Sequence, residues 1–208
     1  MAQLQQQQKL PTPSTSHLDF ATIYEPAEDS FLFLDTLTST AESAFLHSRF
    51  HQDTDTDTDT TRIVQADLSS ALQRGCVDVL LFNPPYVPTE SVPVPVTEDA
   101  CGQMDRFERE SQLLALSYAG GEDGMEVTER LLAEVPGALS ARGAAYVLFC
   151  ARNKAGEALK RLMAGEKWRA KTEGEEQWEW AAEVVGKTGG KGGWERLEIW
   201  RIWRRFSS

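Results

Sequence analysis

VDVLLFNPPYVPTE, residues 77–90, joins a short apolar run to Asn-Pro-Pro-Tyr. Broken only by Asp78, the run reads as a strand buried on both faces, as in a parallel sheet. Proline cannot donate to a ladder, so Pro84 and Pro85 end the strand. Ending a strand does not require the flanking Asn83 and Tyr86, and NPPY arises by chance in on the order of one chain in a thousand of this length. In α/β sheets ligands sit at the carboxyl ends of the strands, which is where Asn83 stands.

The tetrapeptide suits one kind of guest. An asparagine side chain is neutral and offers one acceptor and two donors. The adjacent proline carbonyl adds an acceptor on a stiff backbone, and Tyr86 can lay its ring on a flat group. Together, Asn83, Pro84, Pro85 and Tyr86 can receive both N–H bonds of a planar amide or amino group and hold its nitrogen in line with an electrophile. Orientation then supplies much of the rate. Hydrolysis is poorly served, because no Ser/His/Asp or Cys/His set lies near. His17, His47 and His51 all precede the regular part of the chain and read as surface residues.

Outward from this strand the pattern is that of an α/β domain. EPAEDSFLFLDTL predicts a helix, with Pro26 in its first turn, Glu28 and Asp29 at its positive end, and Phe31, Leu34 and Leu37 at helical spacing. RIVQADL reads as a short strand ending at Asp67, and residues 87–110 as a long loop. Glu122 to Leu139 reads as a helix interrupted by Pro136, Ala144 to Cys150 as a buried strand, and Lys154 to Met163 as an amphipathic helix. WEWAAEVV and WERLEIWRIW flank a glycine-rich loop and must be antiparallel. Residues 1–19 read as disordered and 20–208 as one domain. Within that domain, residues 51–61 form an acidic Asp/Thr linker; DTDTDTDT lacks the glycine of a calcium loop.

Composition excludes several classes. A net charge of -11 repels phosphate backbones, so nucleic acid is an improbable partner. Cys76, Cys101 and Cys150 include no CxxC pair, which points to a reducing compartment and no metal site. With neither a membrane-length apolar run nor a signal-like N-terminus, a cytoplasmic or nuclear location is expected.

YEPAEDSFLFLDTL, ADL, VDVLLFNPPYVP, YAGGEDGMEV and the unit ending ARNKAGEALKRLM resemble the HemK-like N5-glutamine methyltransferases. The similarity is to the eukaryotic branch that modifies the glutamine of the Gly-Gly-Gln motif in the class I translation release factor. It implies a class I, Rossmann-like methyltransferase sheet with a C-terminal hairpin, S-adenosylmethionine as cofactor, and a small zinc-binding activator subunit as partner. It also implies that Asn83, Pro84 and Tyr86 orient the substrate amide. Asp67 and Leu68 would lie at the adenine side of the cofactor, Tyr24, Glu28 and Ser30 at its methionine end, and Asn83 would contact the cofactor as well as the substrate. Asp67 as a helix cap, Tyr24 as plain core and AGGEDG as a simple turn remain alternatives.

One departure stands out. Such a sheet should begin with a strand running into a glycine-rich loop, and then place a carboxylate for the ribose one strand later. No glycine precedes Gly75, and the interval from Thr36 to Arg62 is too short for a βαβ unit. The first strands are therefore expected to be missing and the next strand edge exposed. Two other functions stay open: an inactive short form that keeps partner binding, and a lysine or adenine-N6 methyltransferase.

Overall fold

The computed structural model describes residues 14–50, 64–95, 104–169, 171–173, 176–189 and 196–206. Helices α1 (Glu28–Leu37) and α2 (Thr40–Phe50) precede strand β1 (Val77–Phe82). Helices α3 (Arg106–Tyr118) and α4 (Glu126–Ala138) then lead to β2 (Leu139–Cys150) and α5 (Ala155–Met163). Strands β3 (Lys171–Glu173), β4 (Glu176–Lys187) and β5 (Leu197–Phe206) complete one sheet in the order β1-β2-β5-β4-β3. β1 and β2 are parallel and the remaining pairs antiparallel. This is the expected α/β sheet with a C-terminal hairpin.

β2 shows why its sequence is continuously apolar. Ala145, Val147 and Phe149 face α4 and α5, while Tyr146 and Leu148 face α1 and α2. Helices cover both faces, so alternation disappears. On the first side Leu131, Leu132 and Val135 of α4 and Leu159 of α5 join Trp168, Trp178 and Trp180; the Trp168 and Trp180 rings meet edge to face at 4.9 Å. On the second side Leu32 packs with Ile199 and Leu197, flanked by Phe45 and Leu46 of α2.

β1 occupies the sheet edge, and among the described residues it pairs with β2 alone. Its Val79 and Leu81 are 42% and 52% exposed. An apolar strand with an open edge is what loss of the preceding strands should leave. Of the predicted strand RIVQADL, Arg62 and Ile63 lie outside the described residues; Val64 to Ala66 carry no strand, and Val64 is exposed. Strands exist through their ladder partners, and among the described residues none flanks this segment.

Other expectations need adjustment. The helix predicted over EPAEDSFLFLDTL ends at Leu37, and a second helix not predicted there, α2, follows it. The loop predicted over 87–110 ends early, because Asp105 and Glu108 form a capping box that starts α3. Pro136 lies inside α4 without ending it. The Asp/Thr repeat and residues 1–13 lie outside the described residues. No helix among those described is long and apolar enough to cross a membrane.

Candidate functional site

α1 buries Asp29, Leu32 and Thr36, a stripe at i, i+3 and i+7. This is not the Phe31/Leu34/Leu37 face that its sequence suggests; Phe31 is exposed. The stripe packs on the sheet and brings a carboxylate against the end of β1. Asn83 Nδ2 donates to Asp29 Oδ2 at 2.8 Å. Asp29 Oδ1 accepts from the Ser30 backbone N–H at 2.6 Å and from its hydroxyl at 3.2 Å. With its nitrogen committed to Asp29, Asn83 presents Oδ1 as its acceptor.

Around this pair lies a cavity of about 380 Å³. Tyr24, Pro26 and Ser30 form one wall, Pro84 and Tyr86 another, and Ser117 and Tyr118 of α3 the rim. Asn83 stays accessible while Pro84 behind it is buried.

The NPPY backbone is clamped from behind by the AGGEDG turn. Val87 and Ala119 form an isolated parallel bridge, in which Gly120 N–H donates to the Val87 carbonyl at 2.8 Å and Val87 N–H to the Tyr118 carbonyl at 2.9 Å. Gly120 and Gly124 let the two chains touch. A methyl at Gly120 would stand 2.5 Å from the Pro85 carbonyl, and one at Gly124 would overlap that of Tyr86. Asn153, 4% exposed, donates through Nδ2 to the Tyr86 and Gly124 carbonyls, both at 3.0 Å. Asn153 therefore fixes the height of the Tyr86 backbone.

Of the residues marked from sequence, Asn83, Pro84, Tyr86, Tyr24 and Ser30 share the cavity. Glu28 does not line it and points to solvent, with Asp29 in its place. Asp67 and Leu68 are also absent from its walls. Asp67 pairs with Arg130 of α4, while Leu68 packs on the core beside α4 and takes a positive φ of 50°. Pro85 faces the glycine turn. Asp29 and Asn153 were missed; the buried stripe of α1 was the available signal for the first, and nothing local marked the second.

The residues present do not fit a whole S-adenosylmethionine. Tyr24, Ser30 and Asn83 could wall its methionine end. Among the described residues the adenosine end has no cradle: no glycine-rich loop precedes β1 in the sequence, Asp67 pairs with Arg130 at the surface, and the edge of β1 is open. Among the described residues no group of carboxylate, histidine or cysteine side chains could hold a metal; Cys76 and Cys150 are free thiols.

No family model matches the chain. It is 30% identical over 200 residues to the "eRF1 methyltransferase catalytic subunit mtq2" of Schizosaccharomyces pombe, covering 70% of this chain and 81% of that one. It is likewise 30% identical over 196 residues to "Methyltransferase HEMK2" of Mus musculus, covering 74% and 85%. Seventy per cent of 208 residues is about 146, so on the order of 50 of the 200 positions aligned with mtq2 have no residue here. A solved E. cuniculi Mtq2-Trm112 complex is similar with a TM-score of 0.49 at 21% identity, covering 87% of this chain and 98% of that one.

Proposed function

The chain belongs to the protein methyltransferase family of mtq2 and HEMK2, and from that premise we propose that it receives the glutamine side chain of the release factor's Gly-Gly-Gln motif for N5-methylation, with S-adenosylmethionine as the family's methyl donor. The observation that carries this reading is the oriented Asn83 amide beside Pro84 and Tyr86 in a cavity of side-chain size. Asn83 Oδ1 and the Pro84 carbonyl accept the two N–H bonds of the carboxamide, Tyr86 lies against its plane, and the nitrogen is left facing the open side. Preorganised acceptors need not reorganise when the nitrogen reacts.

Glutamine ranks above lysine because the two acceptors at the corner, Asn83 Oδ1 and the Pro84 carbonyl, are neutral and match the two N–H bonds of a planar carboxamide. Adenine in a nucleic acid is disfavoured by the net charge of -11. The relative's name makes mtq2 a catalytic subunit. By the same token we take this chain to pair with a small zinc-binding activator, in the cytoplasm or nucleus.

The test is calorimetric titration of two peptides into the 208-residue chain, one with Gly-Gly-Gln and one with Gly-Gly-Glu. The glutamine peptide should bind at least about tenfold more tightly, since a carboxylate offers no N–H and leaves the two acceptors unpaired. Equal affinity would overturn the reading.

A further inference from the structure

Asp29 lines the cavity beside Asn83, and its two oxygens do different jobs. Oδ1 is held by the backbone and hydroxyl of Ser30 in the first turn of α1, while Oδ2 receives the Asn83 amide from 54 residues away. A carboxylate has no donor, so it admits only the nitrogen side of Asn83. We propose that Asp29 is a positioning residue: it selects between the two flipped states of the Asn83 amide and keeps the oxygen toward the substrate. Without it the flips differ little in energy, since Asn83 is accessible and either end can bond to water. The specificity of the corner for an N–H donor thus depends on a carboxylate outside the NPPY motif.

An isosteric change makes this testable. In Asp29→Asn the two Ser30 donors keep an oxygen at the Oδ1 position, which puts the introduced NH2 where Oδ2 was. Two NH2 groups then face each other, and Asn83 escapes by turning its amide over. Its oxygen now meets the introduced amide, and its NH2 enters the cavity. Donor and acceptor are reversed without loss of volume. The exchange variant Asp29→Asn/Asn83→Asp restores an N–H to oxygen pair between the two positions, and the second oxygen of the introduced carboxylate again faces the substrate.

The experiment follows the scalar coupling across this hydrogen bond in the labelled 208-residue protein, together with titration by a Gly-Gly-Gln peptide. The wild type should show coupling from Asn83 Nδ2 to the Asp29 carboxyl carbon. Asp29→Asn should reverse its direction and weaken the peptide about tenfold or more, and the exchange variant should recover most of that loss. A role confined to α1 stability would lower the melting temperature, but would neither reverse the coupling nor be rescued by the exchange. Absence of the wild-type coupling, or an exchange variant as weak as Asp29→Asn, overturns the proposal. If Asp29→Asn does not fold, the wild-type coupling and the exchange variant still decide it. The peptide arm rests on the glutamine reading above. A wild-type protein with the coupling but no peptide binding would count against that reading and leave the role of Asp29 standing.

Discussion

Glu42→Ala is expected to lower the unfolding free energy by about 3–5 kcal/mol, the range for breaking one side of a buried ion pair. Arg201 and Glu42 are 7% and 3% exposed. Arg201 Nη1 lies 2.8 Å from both Glu42 oxygens, and its guanidinium sits 3.6 Å from the Phe45 ring centroid and 4.4 Å from that of Trp203. The Tyr146 hydroxyl donates to Glu42 Oε2 at 2.8 Å. Burial, and after it the hydrogen bond and charge of Glu42, hold the Tyr146 phenol well above its usual range, so it remains a donor. Among the described residues, removing the Glu42 carboxylate takes away the side-chain partner of the Tyr146 hydroxyl and leaves the half-exposed Glu183 as the counter-ion of Arg201. This cluster pins α2 to β2 and β5, and the midpoint of urea denaturation should fall accordingly. Glu42→Met/Arg201→Met should recover most of the loss, because it removes both charges and refills the space. A Glu42→Ala midpoint close to wild type would show that the pair is not buried as described.

Gly124→Ala should have the largest effect on the site among single methyl additions. Gly124 holds a φ of +68°, and its missing Cβ points at the Tyr86 carbonyl, with the Asn153 amide nitrogen 2.6 Å from the same point. Backbone strain at a positive φ costs about 1–3 kcal/mol, and the overlap forces Tyr86 to move, because Asn153 is itself fixed by two carbonyls. Stability should fall by about 2–4 kcal/mol, and binding of the Gly-Gly-Gln peptide should be lost with it. Gly189→Ala, at an open position with nothing within 4 Å, is the control and should leave both unchanged. Full peptide affinity in Gly124→Ala would mean that the turn does not support Tyr86.

Residues with two-sided burial were legible in the sequence. β2 announces itself by an apolar run that only a sheet covered on both faces can absorb, the hairpin of β4 and β5 by its two runs around a glycine-rich loop, and the NPPY corner by its improbability; β1, expected to be buried on both faces, is covered on one only, with Val79 and Leu81 exposed. Misreadings arose where a partner decides the structure. RIVQADL has strand composition, yet no strand forms over Val64 to Ala66, since no segment among the described residues pairs with it. α3 buries none of its residues, so its apolar pattern was weak; the D-x-x-E capping box at Asp105 was the better clue. Asp29 looked like an ordinary acidic residue at a helix start, because the face of α1 was read from Phe31, Leu34 and Leu37. Its role becomes visible only when Asn83 is placed beside it. The shortage of glycine before β1 and the short interval from Thr36 to Arg62 are visible in the sequence alone.

The proposed glutamine-receiving site is assembled from α1, the end of β1 and α3, and among the described residues no cradle for the donor stands beside it. The most direct measurement is calorimetric titration of S-adenosylhomocysteine into the 208-residue chain, co-expressed with a zinc-binding activator, beside titration of the Gly-Gly-Gln peptide into the same sample. Peptide binding without micromolar binding of S-adenosylhomocysteine is the expected result. Micromolar S-adenosylhomocysteine binding would show that the donor site is complete and would contradict it.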